Sequence, residues 1–393
     1  MRNTPAALLL ALLAFGAQAQ SHAHAQTQTQ TQTGPVATPF ELHSGHVYID
    51  AVINDQGPFH LLFDTGAVNV LTPGAAQRLG LVVNNNVSAQ GTGGAQAGGS
   101  AKVKAVSIAG LSLLDQTFYV LDLPSGASDD GAVDGLIGWE WLNRFPTRID
   151  YAAQILTFFP DGKPIVNSAA APTPIRFAGK RPLVAGKIDG IEGKFTLDTG
   201  SPGSVTLATP FVESHDLVGK YHPKTKVMSA VGVGGPVYAW ITRAETLELG
   251  AASISQPVTF LSQQTSGTSA AKDVAGNVGF GVLHRFTLTF DYPHAAIYFE
   301  PNRFAAEPDL ADRSGLRILR SGSGFKVQYV GENTPAAQAG LKAGDVILAV
   351  DGAPCVGMSS DHLKALLKGP VGTKLKLTLV GGQADVTLTL AEL

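Results

Sequence analysis

The sequence predicts a mainly β protein of two similar β lobes followed by a smaller α+β domain. Three observations carry this reading. First, 45 of the 393 residues are Gly and 23 are Pro, which argues against a helical bundle and for short strands joined by turns. Second, the stretch from Gly45 to Pro160 resembles that from Arg181 to Pro301, the mark of a duplicated unit. Third, the residues after the second copy have their own strand, helix and turn signals and share nothing with the repeat, as expected of a separate domain.

Charge and cysteine content narrow the function classes. The chain carries 28 Lys+Arg against 31 Asp+Glu, a net charge of −3, so there is no basic field for nucleic acid or an anionic membrane. A single cysteine, Cys355, excludes an intrachain disulfide framework.

In chain order, Arg2, the apolar run Ala6 to Phe15 and Ala17-Gln18-Ala19 read as an export signal over residues 1–19, cleaved after Ala19, with Ala25 as the second choice. The apolar run is too short to span a bilayer, and no later segment is apolar for long enough. A periplasmic or secreted protein is expected. Residues 20–39, with Gln-Thr repeated up to Thr33, read as a disordered spacer.

Lobe 1 is placed at 40–165 and lobe 2 at 172–303. In each, a short strand (Val47 to Ile53; Leu183 to Ile188) ends at a turn, and a second apolar strand runs into Asp64-Thr65-Gly66 or Asp198-Thr199-Gly200. Gly91-Thr92-Gly93-Gly94 matches Gly232-Val233-Gly234-Gly235, and Gly135-Leu136-Ile137-Gly138 matches Gly276-Asn277-Val278-Gly279, both offset by 141 positions. The copies also end alike, in Asp150-Tyr151 and Asp291-Tyr292. Helical pattern is confined to Ala75 to Leu79 and a turn around Trp139 to Asn143.

Two Asp-Thr-Gly motifs at equivalent places in a repeat carry a specific chemistry. Glycine lets the chain turn sharply after the Asp and lets the second copy approach closely. A short β-branched threonine can lock its hydroxyl into a buried network across the seam. Asp64 and Asp198, brought together in this way, cannot both ionise cheaply; one stays protonated and the other is an anion. Such a pair can hold a water, one carboxyl acting as general base and the other as general acid.

These residues resemble those of the aspartic peptidases of the pepsin and retropepsin group, over about residues 40–303. The resemblance implies two retropepsin-like β-barrel lobes in pseudo-twofold arrangement, with Asp64 and Asp198 as catalytic dyad. Thr65, Gly66, Thr199, Gly200 and Ser201 would support it. Leu136-Ile137-Gly138 and Asn277-Val278-Gly279 match the segments that cradle the Asp loops, the second less well because Asn277 is polar. Gly91, Thr92, Gly93 and Gly94, with Gly232, Gly234 and Gly235, match the hairpins that close over a bound peptide. The stretch Gly91 to Gly99 holds no tyrosine, unlike pepsins.

No metal site or cofactor is expected. His215, His222, His284 and His294 lack ligand-like spacing, and there is no His-Glu-x-x-His, Gly-x-Ser-x-Gly or Gly-Lys-Ser/Thr.

Residues 304–313 read as a linker, and 314–393 as the last domain. Gly315-Leu316-Arg317-Ile318, with the run Thr334 to Ile347, is similar to PDZ domains of exported bacterial proteases. The resemblance implies a groove that takes a peptide C-terminus or an internal segment as an added strand. Leu316, Arg317 and Ile318 would supply amides, and Leu363 and Leu367 would lie on the groove helix. The sequence thus predicts an exported aspartic endopeptidase acting on a peptide or protein substrate. The alternative is a non-catalytic peptide-binding protein on a degenerate protease scaffold.

Overall fold

A computed structural model describes residues 33–124, 133–381 and 385–393. The expected export signal and most of the Gln-Thr tract lie outside them. Strands dominate, with helices of eight residues or fewer between them.

Lobe 1 is built on one ladder, in the order Glu41–His43, His46–Ile53, Gln56–Phe63, Gly135–Ile137, Val70–Leu71, Leu111–Val120, Ala95–Ile108 and Asn84–Gln90. A further pairing of Val52 with Ser107 and Ile53 with Val106 closes the ladder on itself. Closure leaves few free edges. Lobe 2 repeats the same pairings with Arg181–Ile188, Ile191–Leu197, Gly276–Val278, Val205–Leu207, Val258–Ser262, Gly235–Arg243 and Thr225–Gly232. Here Arg181–Ile188 closes against Thr246–Leu249. The helices come in matched pairs as well. Pro73–Arg78 and Trp139–Leu142 overlap the expected Ala75 to Leu79 and the turn around Trp139 to Asn143; Thr209–Ser214 and Phe280–Leu283 are their lobe 2 counterparts, which sequence pattern did not reveal. Thr72 caps the first of these by accepting from Ala75 N, with Pro73 fitting the position where no backbone donor is needed.

A joining sheet runs in the order Val36–Pro39, Ile155–Phe158, Thr147–Asp150, Phe286–Asp291, Ala296–Pro301 and Thr173–Ala178, and the last strand continues it into lobe 2 by pairing with Arg181–Ile188. At its centre Thr147 faces Phe290, Arg148 faces Thr289 and Ile149 faces Leu288. Arg148 therefore lies opposite its own repeat equivalent, the register that a twofold relating the lobes would give. A bidentate pair from Arg148 to Glu300 crosses the same seam. One continuous apolar core, including Phe63, Trp141, Phe158, Phe195, Leu288 and Phe290, runs through both lobes.

Two sequence expectations are corrected here. The spacer expected to reach residue 39 ends sooner: Val36 is buried, and Val36–Pro39 is the outer strand of the joining sheet, paired with Ile155–Phe158. The linker at 304–313 is tied to lobe 2, since Asp309 Oδ2 accepts from Val258 N (2.8 Å) and its carbonyl accepts from Arg243 (2.9 Å).

The C-terminal domain has a sheet ordered Leu316–Ser321, Gly324–Val330, Val346–Val350, Lys374–Leu379 and Val386–Thr389, with the helices Pro335–Gln338 and Ser360–Leu367. Its core, including Ile318, Phe325, Leu363, Leu367 and Leu388, is separate from that of the lobes. Ser359 caps the longer helix by accepting from His362 N (3.1 Å), and the spacing of Leu363 and Leu367 turns both inward.

Candidate active site

Each Asp sits where a buried strand ends. Gln56–Phe63 runs parallel to Gly135–Ile137, and Asp64 N donates to Ile137 O (2.9 Å); in lobe 2, Asp198 N donates to Val278 O (2.9 Å). The glycines after those partner strands cannot be larger. A Cβ on Gly138 would lie 2.3 Å from Ala67 O, and one on Gly279 would lie 2.5 Å from Ser201 O. The segments expected to cradle the Asp loops therefore do so through backbone contact.

The two loops lock together through their threonines. Thr65 N donates to Thr199 Oγ1 (3.0 Å) while Thr199 Oγ1 donates to Phe63 O (2.6 Å). The mirror set runs from Thr199 N to Thr65 Oγ1 (3.1 Å) and from Thr65 Oγ1 to Leu197 O (2.8 Å). Both threonines are buried, where satisfied networks hold a single geometry and broken ones are costly. Gly66 N and Gly200 N each donate to the Oδ1 of their own Asp, at 2.8 and 2.9 Å. Ser201 takes part through its backbone, donating to Asp198 O (3.2 Å) and accepting from Phe280 N (2.8 Å).

The carboxyls of Asp64 and Asp198 face each other across the seam, each against the glycine of the opposite motif, and each acts on the ionisation of the other; their surroundings differ. Asn277 Nδ2 donates to Asp198 Oδ2 (2.9 Å), whereas the equivalent residue in lobe 1 is Leu136, which has no donor. Burial first, and then the Asp198 charge, push the Asp64 carboxyl well above the usual carboxylate range. Burial also raises Asp198, but Asn277, Asp64 and the Gly200 amide oppose the rise. The Asn277 donor thus favours the anion on Asp198 and the proton on Asp64. Asn277, a weak motif match in sequence, sets this asymmetry.

Two tyrosines that sequence reasoning passed over complete the floor. Tyr292 OH donates to Thr65 O (2.9 Å) from the opposite lobe and packs 5.6 Å from Trp139. Tyr151 packs 5.8 Å from Phe280, the repeat equivalent of Trp139. The signal was present, since both tyrosines follow an Asp at the matched ends of the repeat. Burial raises both phenols, and the dyad charge adds to it.

The glycine-rich hairpins meet tip to tip. Gly93 N donates to Val233 O (3.1 Å). A Cβ on Gly93 would lie 2.4 Å from Gly235 O, and one on Gly234 would lie 2.4 Å from Gly94 N. Gly91 and Gly232 are as close to Val233 and Thr92. A loop near Ser266 braces the lobe 1 tip, with Thr268 N donating to Gly91 O (2.9 Å). The glycines are thus there because the facing hairpin leaves no room for a Cβ.

The expected peptide groove of the C-terminal domain is only partly as read. Leu316–Ser321 is an outer strand, as β-addition requires. Leu363, Leu367 and Ile318, however, are core residues. The amide of Leu316 is engaged by Ser314 Oγ (3.0 Å), and Asp312 Oδ1 accepts from Ser314 N (2.9 Å) and Gly315 N (2.8 Å). Arg317 faces Tyr329 in the neighbouring strand, with its Nε on Gln328 (3.1 Å). The loop expected to capture a terminal carboxylate thus already holds one of its own. Among the described residues no group of side chains could hold a metal ion, and no helix is long and apolar enough to cross a membrane.

Residues 49–141 match the aspartyl protease family model, and residues 326–381 match the PDZ domain model. The chain is 35% identical over 82 residues to human (Homo sapiens) syntenin-1, covering 21% of this chain and 28% of that protein. It is 44% identical over 85 residues to a probable periplasmic serine endoprotease DegP-like protein of Pseudomonas fulva, covering 21% and 16%. The chain thus spans less than a third of the length of these curated relatives. A crystal structure of a retropepsin-like aspartic protease from Rickettsia conorii is similar at 24% identity, over 32% of this chain and 90% of that one, with a TM-score of 0.25.

Proposed function

We propose that this protein is an exported aspartic endopeptidase whose PDZ domain binds peptide segments of its substrates or partners. The observation that carries the reading is the buried reciprocal threonine lock, which holds two facing carboxyls, each accepting from a glycine amide, with a further side-chain donor, Asn277, on Asp198. In the proposed reaction an extended peptide lies beneath the hairpin tips, and a water sits between the carboxyls. Asp198 takes a proton from this water as its oxygen attacks the scissile carbonyl carbon. The Asp64 proton passes to the carbonyl oxygen, giving a neutral tetrahedral diol. On collapse Asp198 returns its proton to the leaving nitrogen, the C–N bond breaks, and Asp64 regains a proton from the diol.

The direct test is incubation with a diverse peptide library, reading products by mass spectrometry for the wild type and Asp64→Asn. Cleavage by the wild type alone, blocked by a statine-type hydroxyl mimic of the tetrahedral species, is the expected result. Intact peptides in both samples would favour the binding-protein alternative.

The pH dependence follows from the dyad. Activity needs Asp64 protonated, so it falls as pH rises through the lifted pKa of Asp64. The same group acts on stability. A carboxyl with a raised folded pKa keeps a proton that the unfolded chain has lost. Its contribution is full below the ordinary carboxylate pKa and lost as pH rises through the folded value. Thermal midpoints of the wild type should therefore decline on that rise, and Asp64→Asn should flatten the decline. Parallel melting curves for the two proteins across that range would remove the assignment of the proton to Asp64.

A side chain at the hairpin junction should act on binding. Gly93→Ala places a methyl against Gly235 backbone atoms, so the tips must part. We expect KM for a short peptide to rise roughly tenfold with kcat changed less, as for loss of an enclosing contact. Steady-state kinetics on one peptide settle it; an unchanged KM would mean that the tips do not enclose the substrate.

A further inference from the structure

The turn between Glu41–His43 and His46–Ile53 lies between the C-terminal domain and the Asp198 loop. Ser44 and Gly45 both have positive φ, 52° and 78°, the geometry of a tight two-residue hairpin turn. On one side, Ser44 N donates to both carboxylate oxygens of Asp361 (2.8 and 2.9 Å), and Lys364 Nζ donates to Ser44 Oγ (2.9 Å). Both partners belong to Ser360–Leu367, the long helix of the PDZ domain. On the other side there is no slack. A Cβ on Gly45 would lie 3.0 Å from Phe280 Cδ1 and 3.2 Å from Pro202 Cα. Phe280 N in turn holds Ser201 O at 2.8 Å, three residues from Asp198. His46, which follows the turn, is buried.

We propose that residues 43–46 are a positioning strut, through which Asp361 and Lys364 of the PDZ domain fix the backbone of the Asp198 loop. The PDZ domain is then part of the catalytic unit rather than a tethered accessory, although it has a core of its own. The Ser44 amide is shared between both oxygens of Asp361, a charge-assisted contact, and Lys364 Nζ on Ser44 Oγ adds a second tie to the same residue. The strut reaches the dyad from the side of Asp198, the carboxyl that must take the proton from water. Asp361 touches neither substrate nor dyad and acts only through the loop. The inference rests on the peptidase reading for its kinetic consequence, but not for the physical coupling.

The test uses the full chain and three variants: Asp361→Ala, Asp361→Asn, which keeps one acceptor oxygen, and Lys376→Ala. The last removes an exposed pair with Asp385 elsewhere in the same domain. Two readouts are compared with the wild type: short-peptide kinetics, and hydrogen exchange by mass spectrometry over residues 198–204. Asp361→Ala should lower kcat roughly tenfold with KM within about twofold. It should speed exchange in that segment and leave the thermal midpoint unchanged. Asp361→Asn should recover much of both, and Lys376→Ala should match the wild type. Wild-type kcat and exchange in Asp361→Ala would overturn the proposal, as would a loss confined to KM or equalled by Lys376→Ala. If the wild type cleaves no peptide, the peptidase reading fails. Exchange then decides the coupling alone: faster in Asp361→Ala supports it, unchanged overturns it.

Discussion

Asp64→Asn and Asp198→Asn are each expected to abolish peptide cleavage, lowering kcat by roughly 10³-fold or more, while both proteins stay folded. The magnitude is that of removing a positioned general acid or base. The two variants fail for different reasons. Asp64 carries the shared proton in the resting site, lifted by burial and the Asp198 charge; an amide there polarises the carbonyl weakly and takes back no proton. Asp198 is the anion steadied by Asn277 Nδ2 at 2.9 Å; an amide in its place cannot deprotonate water. Folding survives because neither side chain belongs to the threonine lock, which joins Thr65, Thr199, Phe63 O and Leu197 O. The check is kinetics on one library-derived peptide, with a melting curve for each variant. Near-normal turnover by either one would refute the shared dyad.

How far the sequence foretold this site depends on how local each signal was. The dyad, its threonines and both glycine-rich hairpins were legible because each motif occurs twice at matched places in a repeat. The two lobes followed from the same repetition. What was missed lies in contacts between segments far apart in the chain. Asn277 looked like a flaw in an apolar segment; only its placement beside Asp198 makes it a donor. Tyr151 and Tyr292 were noticed as repeat ends, yet their role depends on reaching into the opposite lobe. Val36–Pro39 carries too few apolar residues to register as a strand, and it is held by a partner more than a hundred residues away. The PDZ loop is a different case. Its motif was read by position, whereas in the structure Ser314 Oγ takes the Leu316 amide and Asp312, just before it, holds the amides of Ser314 and Gly315. The turn at Ser44 gave no signal, since a polar hairpin tip looks the same whether it meets water or another domain.

Gly200→Ala should be far more damaging than Gly66→Ala, although the two glycines occupy equivalent places in the repeat. Each faces the carboxyl of the opposite motif. A Cβ on Gly66 would lie 3.0 Å from Asp198 Cγ and Oδ1, a tight contact that small shifts relieve. A Cβ on Gly200 would lie 2.2 Å from Asp64 Oδ2 and 2.5 Å from Asp64 Cγ. No movement of one side chain resolves that overlap. Asp64 Oδ1 is held by Gly66 N at 2.8 Å, and the backbone behind it is pinned by Ile137 O and by the threonine lock. Neither glycine has a positive φ, so the difference is steric and owes nothing to backbone strain. To admit the methyl, either the carboxyls part or the lobes separate at the lock. The first outcome removes the shared proton, and the second breaks buried hydrogen bonds at about 1–3 kcal/mol for each group left unsatisfied. Gly200→Ala is therefore expected to lose at least ~100-fold in kcat, as for a displaced reacting group. Its thermal midpoint should also fall by several degrees, on the scale of about 2–4 °C per kcal/mol lost. Gly66→Ala should keep measurable turnover and most of its stability. Expressing both variants and comparing turnover and melting on the same peptide substrate decides the matter. Equal losses would mean that the two loops approach one another symmetrically, and the asymmetric dyad drawn from Asn277 would lose its steric counterpart.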